Sequence, residues 1–226
     1  MNPRVARVLT YAVVMLLVAA TLTWAGNLKP IKLPAPQMTG GMPLMEALKA
    51  RQTIRNYTAE KLSPQILSDL LWAAFGINRP DSGKRTAPSA VNWQEIDIYV
   101  ALEEGLFLYD AKANELKPIL AQDIRANTGD QIFVAGAPLN LVFVADYTRM
   151  GKADDATKDI YSACDTGFIS QNVYLYCASA GLGTVVRGYV DKKALAKTMN
   201  LLPTQKVVLT QTVGYPKPVE KPAEKE

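Results

Sequence analysis

The stretch "PLNLVFVAD", residues 138–146, limits the fold more than any other part of the chain. An unbroken run of Leu, Val and Phe with almost no polar interruption reads as a strand apolar on both faces. Such a strand belongs inside a sheet and needs other elements packed above and below it.

The remaining segments supply those elements. "SPQILSDLLWAAFGI" reads as a helix, with Ser63 as its cap and Pro64 at its first position. A shorter helix, "PLMEALKA", precedes it. "EIDIYVALEEGLFLYDAKANELKPI" alternates and turns twice, which predicts strands around a hairpin whose "DAKAN" loop is rich in turn formers. A long helix runs from about Ile160 to Ala180, followed by a Gly-rich turn "AGLGTVVRG", a helix "DKKALAKTMNL" and a last strand "QKVVLTQTVGY". This order predicts one α+β domain over residues 43–216, with a mostly antiparallel or mixed sheet flanked by helices. Residues 26–42 carry three prolines, with a fourth at Pro43, and a Gly-Gly pair, and read as an extended linker or arm. The charged, proline-bearing residues 217–226 read as a disordered tail.

Residues 1–25 read as a targeting segment. Arg4 and Arg7 precede an uncharged run from Val8 to Trp24, and Thr23 and Ala25 offer the small residues that a signal peptidase reads. Export with cleavage is the expectation. An uncleaved anchor through residues 8–24 is the alternative, because about 17 apolar residues reach the lower limit for a bilayer span. The arginines are not adjacent and no cysteine lies near the cleavage site, so neither a twin-arginine nor a lipoprotein signal is present. Loss of Arg4 and Arg7 with the leader takes the formal charge from +4 to about +2, too little for a field that attracts nucleic acid. The chain has no histidine, which removes the usual neutral-pH proton shuttle and the commonest metal ligand. Cys164 and Cys177 fall in one predicted helix, about 20 Å apart along its axis, so they cannot pair within it. Buried small hydrophobes are their ordinary explanation, and a reactive thiol is the other.

Four stretches can carry chemistry. In "RQTIRNY", Arg51 and Arg55 can face one way if the segment is helical or tightly turned, with Gln52 and Thr53 adding neutral hydrogen bonds. Guanidinium forks with a hydroxyl suit a phosphate, although a solvated face explains two arginines as well. In "APSAVNWQ", Pro88 and Ser89 begin a turn, and Asn92 and Gln94 offer amide edges that a planar heterocycle can use. Gly181, Gly183 and Gly188 permit close backbone approach to a ligand, although capping by Gly181 accounts for part of that pattern. In "TGDQIFVAGAP", Gln131 is either an amide pointed into a pocket or an ordinary surface glutamine.

The order and spacing of these stretches resemble the FMN-dependent nitroreductase family. In that family R-x-[ST]-x-[RK] follows the first helix, P-S-x-x-N-x-Q comes about 35 residues later, and a Gly-rich turn follows the long central helix. The resemblance covers about Leu44 to Tyr215, including "VGY" at the end of the last strand. The hairpin "GLFLYDAKANELKPI" looks most like the SagB-type branch that contains azoline dehydrogenases. The resemblance implies an intertwined homodimer with FMN at its interface. Arg51, Gln52, Thr53 and Arg55 would hold the phosphate, and Pro88, Ser89, Ala90 and Asn92 would line the isoalloxazine from the neighbouring subunit. Val186, Arg187 and Gly188 would approach its reactive face, with Arg187 and Gly188 as the catalytic pair, and Gln131 would contact the pyrimidine edge. Two features depart from the family. The basic pair that follows the final strand in many relatives is represented here only by Lys217 and Lys221 in the proline-rich tail, and the Lys-Tyr pair of azoline dehydrogenases is not evident.

What the resemblance implies chemically is ping-pong transfer of a hydride or electron pair through the flavin to a quinone, a nitroaromatic or an exported small molecule. A flavin-binding protein without turnover is the alternative. Export would separate the protein from NAD(P)H, so an exported substrate or a membrane donor is expected to replace the nicotinamide.

Overall fold

The computed structural model describes residues 28–218, so the leader falls outside the described residues, as do 219–226 with Lys221. The strands are β1 (Ile31–Lys32), β2 (Ile77–Arg79), β3 (Lys84–Arg85), β4 (Ile96–Leu102), β5 (Gly105–Asp110), β6 (Glu115–Leu120), β7 (Leu139–Asp146), β8 (Gly183–Arg187) and β9 (Gln205–Gly214). The helices are α1 (Leu44–Ala50), α2 (Pro64–Phe75), α3 (Ile132–Gly136), α4 (Asp155–Ser179) and α5 (Lys192–Thr198). Seven strands form one sheet in the order β1-β6-β5-β4-β7-β9-β8, and every pairing in it is antiparallel. The mixed alternative is therefore set aside in favour of the antiparallel one. Strands β2 and β3 form a separate small hairpin.

The apolar run is β7, an interior strand between β4 and β9, as its composition requires. Leu141, Phe143 and Ala145 of β7 face the core shared with Leu70, Leu71 and Phe75 of α2 and Ile169, Val173 and Cys177 of α4. Val142 and Val144 face the other way, onto Leu195 of α5 and Met199 just after it. Alternate residues thus fill two cores through one strand. Ser63 caps α2 by accepting from Ile66 N–H at 3.3 Å, with Pro64 at the first position. Asp154 caps α4 by accepting from Thr157 N–H at 2.8 Å. At the far end of α4, Gly181 takes φ +69 and lets Leu182 N–H reach Cys177 C=O at 2.8 Å, which closes the helix.

The packed body begins upstream of Pro43. The extended segment pairs as β1 with β6, buries Leu33, and gives Gln37 N–H to Asp69 at 2.7 Å. Both cysteines are free and lie in α4, Cys164 exposed and Cys177 buried. Burial pushes the Cys177 thiol well above its ordinary range, which favours the small-hydrophobe reading over a reactive thiol there.

Candidate functional site

The Arg51–Arg55 segment is neither helical nor tightly turned. Arg51 N–H closes α1 on Ala47 C=O at 2.9 Å, and the chain then leaves in extended form. Contact with β8 fixes it: Ile54 N–H donates to Thr184 C=O at 3.0 Å. A Cβ on Gly183 would meet Ile54 Cγ2 at 2.8 Å and Tyr57 Cε1 at 3.2 Å. Gly183 therefore admits the neighbouring loop and not a ligand. On the other side, Thr58 N–H bonds Tyr215 C=O at 2.9 Å and Lys217 N–H bonds Asn56 C=O at 3.0 Å. The chain leaving β9 is thereby laid against this loop.

Tyr174 of α4 gathers the loop and the end of β8. Its hydroxyl accepts from Val186 N–H at 3.1 Å and bonds Thr53 Oγ1 at 3.1 Å, while the Arg51 guanidinium lies over its ring at 5.3 Å. Arg55, Gln52 and Thr53 are exposed and Arg51 half-buried. Neither Arg51 nor Arg55 is in an ion pair among the described residues. Arg51, the Thr53 hydroxyl and the backbone of β8 thus meet at Tyr174, with Arg55 exposed on the same extended segment.

Val186 and Arg187 are not in a turn, because "GTVVR" is the edge strand β8, paired with β9. Hydrogen-bonding direction alternates along such a strand. Val186 N–H faces Tyr174, and Gly188 comes directly after the end of β8. The Arg187 side chain points into the protein: it is 5% exposed, and its Nη1 and Nη2 donate to Thr128 C=O at 2.8 Å and Asn140 Oδ1 at 3.2 Å. Its Nε has no partner among the described residues. Burial lowers the guanidinium pKa to about 10. Gln131 is not aimed at an open pocket either. Its Nε2 donates to Tyr189 C=O at 3.3 Å and its Oε1 sits 3.5 Å from Arg187 Nη1.

The Pro88–Gln94 loop is held by different means. Val91, Asn92 and Gln94 all take positive φ, at 52°, 58° and 48°. That is costly for side-chain-bearing residues and persists only where surroundings enforce it. Ser89 Oγ accepts from Gln94 N–H at 2.8 Å and donates to Glu95 Oε2 at 3.2 Å, and Ala90 N–H donates to Asp165 Oδ2 at 2.9 Å. Glu95 is fully buried and Asp165 2% exposed. Burial, then the adjacent Asp165 carboxylate, pushes the Glu95 carboxyl up to about 7. Glu95 therefore keeps its proton to a higher pH than an ordinary glutamate does.

The reading of the sequence passed over Glu95, Asp165 and Tyr174. Asp165 had a signal: it falls on the stripe Asp165, Ile169, Val173, Cys177, an acid at a core position of α4. Asp165 and Tyr174 are nine residues apart on one helix, about 13 Å along its axis. The two candidate loops are thus anchored to different stations of α4 within one chain. Among the described residues no group of His, Cys, Asp or Glu is arranged to hold a metal ion, and no helix is long and apolar enough to cross a membrane.

Comparison with known proteins matches this geometry. The sequence model of the nitroreductase family fits residues 48–215. A candidate nitroreductase of Methanocaldococcus jannaschii is 32% identical over 155 residues, 64% of this chain and 78% of that protein. The crystal structure of a candidate nitroreductase from Ralstonia eutropha JMP134 superimposes with a TM-score of 0.82 at 44% identity, covering 86% of this chain and 92% of that one. An NADPH:FMN oxidoreductase from Vibrio harveyi, solved with NAD+, shares the fold at a TM-score of 0.59 and 22% identity, over 81% of this chain and 78% of that one.

Proposed function

Because the chain belongs to the nitroreductase family, we propose that it is an FMN-dependent oxidoreductase whose flavin lies between two copies of the chain. The observation that carries this reading is the cluster at Tyr174, the bay of this reading: Arg51 lies over its ring, its hydroxyl joins Thr53 to the β8 edge, and Arg55 is exposed on the same extended segment. Two free guanidinium groups with a hydroxyl match a phosphate monoester, and a backbone N–H beyond them matches a ring acceptor, so the residues present fit FMN. Lys217, brought beside Asn56 by the chain after β9, adds a third cation on that side.

Within this reading Arg51 and Arg55 hold the phosphate, Tyr174 fixes Thr53 and Val186 relative to each other, and Gly188 N–H donates toward the ring. The Pro88–Asn92 loop of the second copy closes over the ring and excludes water. Self-association is supported by the separation of the two loops along α4 and by exposed apolar side chains: Leu44, Met45 and Leu48 on α1, and Ile160, Tyr161 and Phe168 on α4. Bound FMN would supply two-electron chemistry, taking an electron pair from one substrate and passing it to the next in alternation. Arg187 acts at a distance, as a buried cation beneath the strand that meets the ring. If residues 1–25 direct export, the electron source is an exported substrate or a membrane donor in place of NAD(P)H. The SagB-type assignment rests on the β5–β6 hairpin.

The test is direct. The purified protein is expected to carry flavin absorbance, to bleach on anaerobic reduction, and to recover its colour when a quinone or nitroaromatic is added. A colourless protein that does not take up added FMN refutes the reading. Flavin that is reduced but not reoxidised by any acceptor leaves a binding protein without turnover.

A further inference from the structure

The small hairpin β2–β3 stands directly upstream of the Pro88–Gln94 loop. Between them lies a cleft of about 220 Å³ lined by Arg79, Lys84, Arg85, Ser89, Asn92 and Gln94, with Ala87 and Pro88 at its base. Three of its lining residues are cations and none is an acid. Arg79 and Lys84 are exposed, and neither they nor Arg85 is in an ion pair among the described residues. Asp81 sits on the exposed turn of the hairpin, outside the lining.

Arg85 is the informative member. Its guanidinium is stacked on Phe75 at 4.6 Å, and it is locked by donation to Phe75 C=O at 2.8 Å and Gln94 Oε1 at 2.6 Å. Burial lowers its pKa, which marks a charge only partly compensated by its surroundings. Charges withdrawn from water are normally paired. The carboxylates in reach are committed elsewhere, Asp97 to Arg149 at 2.7 Å and Asp110 to Lys117 at 2.5 Å. The hairpin also fixes Arg79, whose Nη2 donates to Arg85 C=O at 2.7 Å. Two cations are therefore held in place by neutral acceptors, with a third on a free stem beside them. That is the composition of a site whose counter-charge arrives with a ligand.

We propose that this cleft is an anion subsite, taking the carboxylate or phosphate group of a small-molecule substrate whose reacting end reaches past Ser89 and Asn92. It rests on the flavin reading for its purpose, but not for its existence. An anionic substrate would be oriented from the hairpin, and a neutral analogue of the same shape would not.

The probes are 4-nitrobenzoate, 4-nitrophenyl phosphate and the neutral 4-nitrobenzamide, titrated calorimetrically into the full chain as purified. At about 0.02 M salt at least one anionic probe is expected to bind about tenfold tighter than the amide, and at about 0.5 M salt the ratio should approach one. The more strongly preferred probe tells carboxylate from phosphate. The double variant Arg79→Ala/Lys84→Ala removes exposed side chains from the hairpin surface and should abolish the ratio without lowering the melting temperature. Arg85→Met, which also loses the bonds to Phe75 C=O and Gln94 Oε1, is the secondary variant. Equal affinities in the natural chain, a ratio that survives in the double variant, or no binding of any probe overturns the proposal. A colourless preparation defeats the flavin reading separately, while the affinity ratio still decides the cleft.

Discussion

The Arg51–Arg55 loop and the Pro88–Gln94 loop solve opposite problems. The first is pinned through its backbone, to β8 on one side and to the chain after β9 on the other, and leaves its charges free. The second engages its polar groups with its own neighbours and with two buried carboxyls, and holds three residues in left-handed conformation. One is built to receive charge and the other to hold a shape. That difference predicts different failures: the first should lose its ligand while keeping its fold, and the second should change with pH.

The largest effect belongs to the receiving loop. Arg51→Ala with Arg55→Ala removes two charge-assisted contacts, each worth about 1.5–3 kcal/mol. FMN affinity should fall at least about 100-fold while the melting temperature of the flavin-free protein stays within a few degrees. Equilibrium dialysis of FMN checks it. Full flavin occupancy in the double variant would remove the phosphate assignment and with it the contrast between the loops.

The next effect tests the shape-holding loop. Folded Glu95 keeps its proton up to about pH 7, whereas an ordinary glutamate releases it near 4.5. Between those values the folded chain binds more protons than the unfolded one, so stability is fully present below about 4.5 and is lost as pH rises toward 7. The loss is up to about 3 kcal/mol. Glu95→Gln, which cannot ionise, should flatten this dependence, read from urea midpoints at successive pH values. A natural chain whose midpoint does not fall across this window would show that Glu95 holds no extra proton.

Much of this contrast was hidden in the sequence. The interior strand β7, the capped helix α2 and the hairpin β5–β6 were legible because burial on both faces, capping chemistry and alternation are local signals. The stretch "AGLGTVVRG" misled because its glycines suggested a turn, whereas Gly183 is needed where Ile54 approaches the strand. Arg187 was legible as a motif residue but not as a buried one, since its partners Thr128 and Asn140 are far away in sequence. The contacts of Gln131 with Tyr189 C=O and Arg187 were hidden for the same reason. Arg51, Thr53 and the Pro88–Asn92 loop were found as motifs, but the Tyr174 link between Thr53 and Val186 depends on which face of α4 meets which strand. Local pattern does not carry that information.

A smaller perturbation sharpens the comparison at Tyr174. Tyr174→Phe deletes the hydroxyl that accepts from Val186 N–H and bonds Thr53. It should cost about 1–2 kcal/mol of stability through the unsatisfied N–H, and weaken FMN by several-fold through the freed Thr53. Because the arginines remain, it should not abolish binding. If stability falls but flavin affinity is unchanged, Tyr174 only supports the edge strand and does not organise the bay.

The smallest expected effect concerns how the receiving loop is completed. Lys217 is exposed, and its backbone is tied to Asn56, next to Arg55. An exposed ammonium near a phosphate contributes little at high dielectric and is screened by salt. Lys217→Ala should therefore weaken FMN only about two- to fivefold at low salt, with the difference shrinking as salt rises. Arg51→Ala should remain defective at high salt, because a half-buried guanidinium over the Tyr174 ring is less screened. Measuring both variants across a salt series separates the two kinds of cation. If Lys217→Ala matched Arg51→Ala at every salt concentration, the chain after β9 would be as much a part of the phosphate site as the loop itself, and the bay would have three equal walls instead of two.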